Sequence, residues 1–140
     1  MTTALYTAAG LIRARFSTQI TTGQSLTTIH DNVPDSAIPT TGRWCRLSLR
    51  FGEQRARTIG ADAAQYQTIG VAIAQVFAPL GDGDGVVLQL ADAIVTAFRG
   101  VTLAGPPVIH FDSPYLSTDP ALDGALWSVN VTIPFRIEEL

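Results

Sequence analysis

The chain has 140 residues, 46% of them apolar and 15% charged, with a net charge of −3 and no lysine among its basic residues. That length fits one domain, 1–140, with a single core, and the apolar content excludes a disordered chain. The acidic balance excludes attraction to nucleic acid or anionic membrane through the overall field.

Sparse charge points to partner surfaces rather than a free monomer, and an all-arginine basic set suits planar, bidentate contacts with carboxylates. A compositional bias of the source genome explains the missing lysine equally well. No apolar run reaches the roughly 20 residues of a membrane span. The N-terminal MTTALYTAAG lacks the basic start and apolar middle of a secretory signal, so the expectation is a chain that stays in the cytosol. The lone Cys45 excludes an internal disulfide and a cysteine-built metal site, and His30 and His110 alone make a poor ligand set. No structural metal is expected.

In chain order, residues 3–17 place Leu5, Ala9, Ile12 and Phe16 on one helical stripe, despite the cost of Gly10 in the middle. From Ile20 to Gly42 the composition turns to threonine, serine, asparagine and aspartate with Gly23, Pro34 and Pro39, which predicts a long irregular connection, functional or ordered by a partner such as a neighbouring subunit. RWCRLSLRF, 43–51, alternates Cys45, Leu47, Leu49 and Phe51 with Trp44, Arg46, Ser48 and Arg50, which predicts a strand with one buried side. The following GEQRARTIGADAAQY, 52–66, is long and polar, and predicts a projecting hairpin arm bearing Glu53, Arg55 and Arg57.

QTIGVAIAQVFAP, 67–79, is apolar on both faces, as in a central strand. In PLGDGDGVV, 79–87, Asp82 and Asp84 alternate with glycines, but the lysine of a phosphate loop and the distal glutamate of a calcium hand are missing. Either aspartate serves instead as an N-cap for the next helix. That helix carries Val87, Leu90, Ala91, Ile94 and Phe98 on one stripe and ends at Gly100. A short strand over 107–114 and a long one over 126–137 follow, the latter with Pro134 requiring a sheet edge or a bulge. The expected fold class is α+β, a mostly antiparallel sheet of about four strands with an N-terminal helix and a second helix packed on one face, plus the arm.

Enzymatic chemistry finds little support. Cys45 falls on the apolar strand face, where burial keeps a thiol protonated. His110, Asp112 and Ser113 lie close in sequence, but no glycine-flanked nucleophile elbow accompanies them. Trp44 with Arg46 and Arg50 has the composition of an interface core, against the plainer reading of a solvated strand face. Glu53, Arg55 and Arg57 have loop solubility as their plain alternative.

DNVPDSAIPTTGRWCRLSLRFGEQ, YQTIGVAIAQVFAPLGDGDG and the closing ALWSVNVTIPF resemble the tail terminator proteins of long-tailed bacteriophages, over nearly the whole chain. The specific parts are Asn32-Val33-Pro34, Trp44, the run from Gly70 to Pro79, Trp127 and Pro134-Phe135. Asp35 stands where the family usually has an aromatic residue, and residues 24–31 are less typical. The resemblance implies a non-enzymatic virion protein that needs no cofactor, at the head-proximal end of the tail and assembled in the bacterial cytoplasm. It implies a homohexameric ring that caps the tail tube, ends its polymerisation and offers a docking face to the head–tail connector protein, with DNA passing through the lumen unbound. The partners are then further copies of the chain, the tail tube protein and the connector. Trp44, Arg46 and Arg50 would lie in the subunit contact, and Glu53, Arg55 and Arg57 against the tube or a neighbour. The rivals are another ring-forming neck or tail-completion protein, and a small ligand-binding or hydrolytic domain using His110 and Asp112.

Overall fold

A computed structural model describes residues 4–24, 26–31, 42–56, 66–79, 84–105, 107–117, 121–123 and 126–139. Helix α1 spans Ala4–Phe16 and runs directly into a π-helical segment, Ser17–Thr22. Its buried stripe is Ala8, Ile12 and Phe16, extended by Ile20, whereas Leu5, expected on that stripe, is exposed. Four-residue steps on an α-helix drift by about 40° each. The wider π turn takes back part of that drift and keeps Ile20 facing the core.

Strand β1 is Thr27–His30, β2 Trp44–Ala56 and β3 Tyr66–Pro79; helix α2, Asp84–Phe98, precedes β4 Thr102–Ala104, β5 Val108–Phe111, β6 Tyr115–Leu116, β7 Ala121–Asp123 and β8 Leu126–Glu139. They form one curled sheet in the order β1-β2-β3-β8-β5-β4, with β6 and β7 also pairing along β8. The β1–β2 pair is parallel and the others are antiparallel.

The fold is therefore mostly sheet, mixed and curled, with eight strands among the described residues, and not a largely antiparallel sheet of about four strands. The additional strands have two to four residues each, too short for alternation to register. β1 lies inside the stretch expected to be irregular. Its Thr28 hydroxyl lies 2.6 Å from that of Thr21 and 3.3 Å from the Cys45 sulfur, so two threonines that read as loop residues satisfy one another against β2.

The base of the expected arm is corrected as well. β2 and β3 continue to pair as far as Ala56 and Tyr66, after a bulge between Phe51 and Gln54, and Tyr66 pairs in turn with Glu139 of β8. Glu53 and Arg55 thus belong to the sheet; Arg57 and the rest of the hairpin tip lie outside the described residues. So do Asp82 and most of the glycine-rich corner, after which α2 begins at Asp84.

One face of the sheet carries the core. Ala72, Ala74, Val76 and Ala78 of β3 are fully buried between Cys45 and Leu47 of β2 and Val129, Val131, Ile133, Phe135 and Ile137 of β8. Small residues on the middle strand leave room for Phe16 and Phe98, whose rings stack at 6.1 Å. Each such ring contributes about 1.5–3 kcal/mol when fully buried. Val87, Leu90, Ala91, Ile94 and Phe98 of α2 are all buried, and Gly100 (φ 66°) takes the left-handed conformation just past the helix end. Arg15 of α1 donates from Nε and Nη2 to the Ala97 carbonyl (3.0 and 2.7 Å), placing a cation at the negative end of α2.

Pro134 lies in a central strand, not at a sheet edge. Its carbonyl accepts from the Asp112 amide (3.0 Å), so its missing N–H faces the break between β5, which ends at Phe111, and β6, which begins at Tyr115. No ladder bond is required of it there.

Candidate assembly surface

Among the described residues, no helix lies over the second face of the sheet. Along β3 it presents Phe77, Gln75, Ile73, Val71 and Ile69, flanked on β2 by Trp44, Arg46, Ser48 and Arg50, and on β8 by Ser128, Asn130, Thr132, Pro134 and Arg136. At the Phe77 end the cover is internal: Trp44 stacks on Phe77 at 4.2 Å and Ile29 closes the cluster. Exposure then rises along the strand, from 6% at Phe77 to 58% at Ile69. The bulge brings Gly52 close against the Ile69 backbone, where a β-carbon would lie 2.7 Å from the carbonyl oxygen.

Trp44 departs from the expectation of an exposed interface residue. It is buried within its own chain, 4% exposed, and its indole N–H has no partner among the described residues. Alternation places it on the outer face as read from sequence, but no local pattern signals that Ile29 and Phe77 would cover it. Arg46 lies over this indole, its guanidinium carbon 5.9 Å from the ring centroid. Arg50 donates to Asp31 Oδ2 at 2.9 Å and Ser48 donates to Oδ1 at 2.8 Å. The Arg50 hydrogen bond is the largest influence holding the Asp31 carboxyl below its ordinary range. Asp31, from the stretch taken as loop, thus clasps β1 to β2 and was absent from the sequence-derived site. Arg55 pairs with Glu53 at 3.1 Å, both well exposed. The structure thus aligns Trp44, Arg46 and Arg50 on one face beside β3, with Glu53 and Arg55 farther along the same strand.

Across β3 the outer face carries a polar chain. His110 approaches Thr102 Oγ1 through Nδ1 (3.3 Å) and Glu138 through Nε2 (3.2 Å), while Arg136 lies 3.8 Å from both Asp112 and Glu138. Asp112 leans toward Arg136 and does not orient His110 as a catalytic triad requires. Cys45 is fully buried, and that burial pushes its thiol up to about 11 against a partial opposing effect of the Thr28 hydroxyl. Neither group is activated for nucleophilic work. Among the described residues, no cluster of three metal-ligating side chains occurs and no helix is long and apolar enough to cross a membrane.

Sequence reasoning also missed Ile69, Ile73 and Tyr115. Ile73 pairs across the sheet with Thr132, which pairs with Tyr115 of β6, so the three residues share one outer row beside Pro134. β3 is apolar on both faces, and that pattern alone reads as a strand covered on both sides.

A family model described as "Phage tail terminator protein" matches residues 8–135. Six chains among solved structures also match; one covers 92% of this chain and 94% of its own at 22% identity, with a TM-score of 0.64. At that identity the likeness concerns the fold. No curated protein matches the chain.

Proposed function

Since this chain belongs to the phage tail terminator family, we propose that it acts as a hexameric ring that caps the tail tube, ends tube polymerisation and presents a docking face to the head connector. Membership itself makes the chain a structural component of tail completion, located in the virion tail. The finer reading is carried by one observation, the uncovered outer face of the sheet. Ile69 is 58% exposed and Tyr115 53%, on a face that also bears Ile73, Pro134, Arg46, Arg50 and Arg136. An apolar strip with tyrosine and arginine at its margins has the composition of interface cores.

The net charge of −3 supports the conduit role, because a strongly basic lumen would hold passing DNA through its phosphates. Arg46 and Arg50 are the residues assigned to the contact between copies, with Glu53, Arg55 and Arg57 toward the tube or a neighbour. Trp44 acts beneath them, as a buried platform on which Arg46 rests. If each arginine contributes about 1 kcal/mol at the contact, the Arg46→Ala, Arg50→Ala double variant loses roughly 2 kcal/mol per contact, more than about tenfold in affinity. Ring counts in negative-stain micrographs are expected to fall accordingly, and also in the Arg46→Ala single variant, which leaves the Arg50–Asp31 pair and its contribution to melting temperature in place. Rings as abundant as wild type would remove both residues from the contact.

A further inference from the structure

The charges of this chain are separated along its length. Residues 1–70 carry seven arginines against four acids, whereas residues 71–140 carry two arginines against eight acids, giving +3 and −6 and together the net −3. The sheet order turns this separation into one across space. β1 and β2, from the first part, form one side, while β8, β5 and β4, from the second, form the other. Between them β3 has 14 residues and no charged side chain. On the strands themselves the separation is smaller but keeps its sign: β2 carries Arg46, Arg50 and Arg55 against Glu53, with Asp31 just past β1, whereas β8 carries Glu138 and Glu139 against Arg136, with Asp112 just past β5. Among the described residues, both outermost strands, β1 and β4, have an unpaired edge.

Within the chain most of these charges are answered locally. Arg50 has Asp31 and Arg55 has Glu53. Arg46 has the Trp44 ring and no carboxylate at ion-pair distance among the described residues. On the far side Asp112 reaches Arg136 only at 3.8 Å, beyond hydrogen-bonding distance, and remains 64% exposed at its side chain. Arg46 and Asp112 lie on the same outer face near opposite edges of the sheet.

Building on the ring reading above, we propose that the seam between adjacent copies joins the β1–β2 side of one to the β4–β5 side of the next, with Arg46 meeting Asp112 of the adjacent copy. Two copies meeting through the same edge would oppose arginine to arginine or carboxylate to carboxylate, which is unfavourable. A head-to-tail contact brings unlike edges together at every seam, and repetition closes it by rotation. The polarity of the sheet therefore selects the ring-forming arrangement over a two-fold dimer.

Charge reversal tests this on the intact chain. Wild type, Arg46→Glu, Asp112→Arg, the double reversal and an equimolar mixture of the two single variants are compared by native mass spectrometry, with melting temperatures as the control for folding. Each single variant is expected to lose at least roughly tenfold in assembled rings, the effect of about 1.4 kcal/mol per seam. The double reversal restores the ring. So does the mixture, whose oligomers hold both variants in equal number, because the introduced glutamate then faces the introduced arginine at one seam and the native Arg46 faces the native Asp112 at the next. Folded single variants that assemble like wild type, or reversals that neither the double variant nor the mixture rescues, would overturn the seam while leaving the ring intact. A wild-type chain that forms no ring, even when mixed with tail tubes, would overturn the ring reading and the seam with it.

Discussion

Gly70 shows how closely the two faces of the sheet are bound together at single residues. A β-carbon there would lie 2.7 Å from the Phe135 ring and 2.6 Å from the Arg50 carbonyl oxygen. Phe135 is itself held edge-on by Phe51 and Phe111, so the ring has little room to move. Gly70→Ala is therefore expected to cost about 1–3 kcal/mol by overpacking and to lower the melting temperature by several degrees. An unchanged melting temperature would mean that β3 shifts freely against β8. Cys45 gives a second test. Burial raises its thiol to about 11 from an ordinary value of 9.0, so the folded chain keeps the proton that the unfolded chain releases. Its contribution to stability is complete below pH 9.0 and is lost as pH rises toward 11. At pH 8 a thiol-specific reagent is expected to label Cys45 only as fast as the protein unfolds. Rapid labelling of the native chain would be incompatible with its burial. The burial of Cys45 was legible in the alternation of β2, but that of Trp44 was not, since alternation assigns a face without saying what covers it.

Among the elements, β1 is the piece whose attachment depends on charge. It has four residues, pairs parallel with β2, and is followed by Asp31 gripping Ser48 and Arg50. His30, at its end, is half-buried with an Nδ1 that has no partner among the described residues. Burial foremost, then the charge of Arg13, lowers its pKa, against the opposite pull of Asp31. A lowered folded value means that His30 costs nothing above 6.5 and destabilises progressively as pH falls below it. Asp31, also lowered, contributes above 3.8 and loses that contribution as pH falls through its folded value. The chain is thus expected to lose stability between pH 7 and pH 5, and His30→Gln to lose less over the same interval in denaturant titrations. Equal losses would place the acid sensitivity elsewhere. The long elements were visible in the sequence because amphipathic periods of helix and strand persist over a dozen residues. β1, β4, β6 and β7 were not, because strands of two to four residues owe their conformation to their sheet neighbours and not to a local pattern. Pro134 illustrates the same limit: its incompatibility with a ladder was readable, but a break in the neighbouring ladder is a feature of tertiary structure.

Taken whole, the molecule covers one face of its sheet with helices, and among the described residues no helix lies over the other. Arg46, Arg50 and the neighbouring apolar strip lie on that second face, with Arg46 on β2 toward one side and Asp112, just past β5, toward the other. Composition pointed toward partner surfaces through sparse charge, while the absence of lysine fits a bias of the source genome equally well. The direction of the surface required the strand order, which brings first-half and second-half strands to opposite sides of β3. Whether the protein ends the growth of the tail tube is decided by tail length, measured in negative-stain micrographs after deletion of the gene from its phage. Abnormally long tubes without heads are expected, restored to normal length by the wild-type gene. Tails of normal length, whether or not they join heads, would show that something else stops the tube.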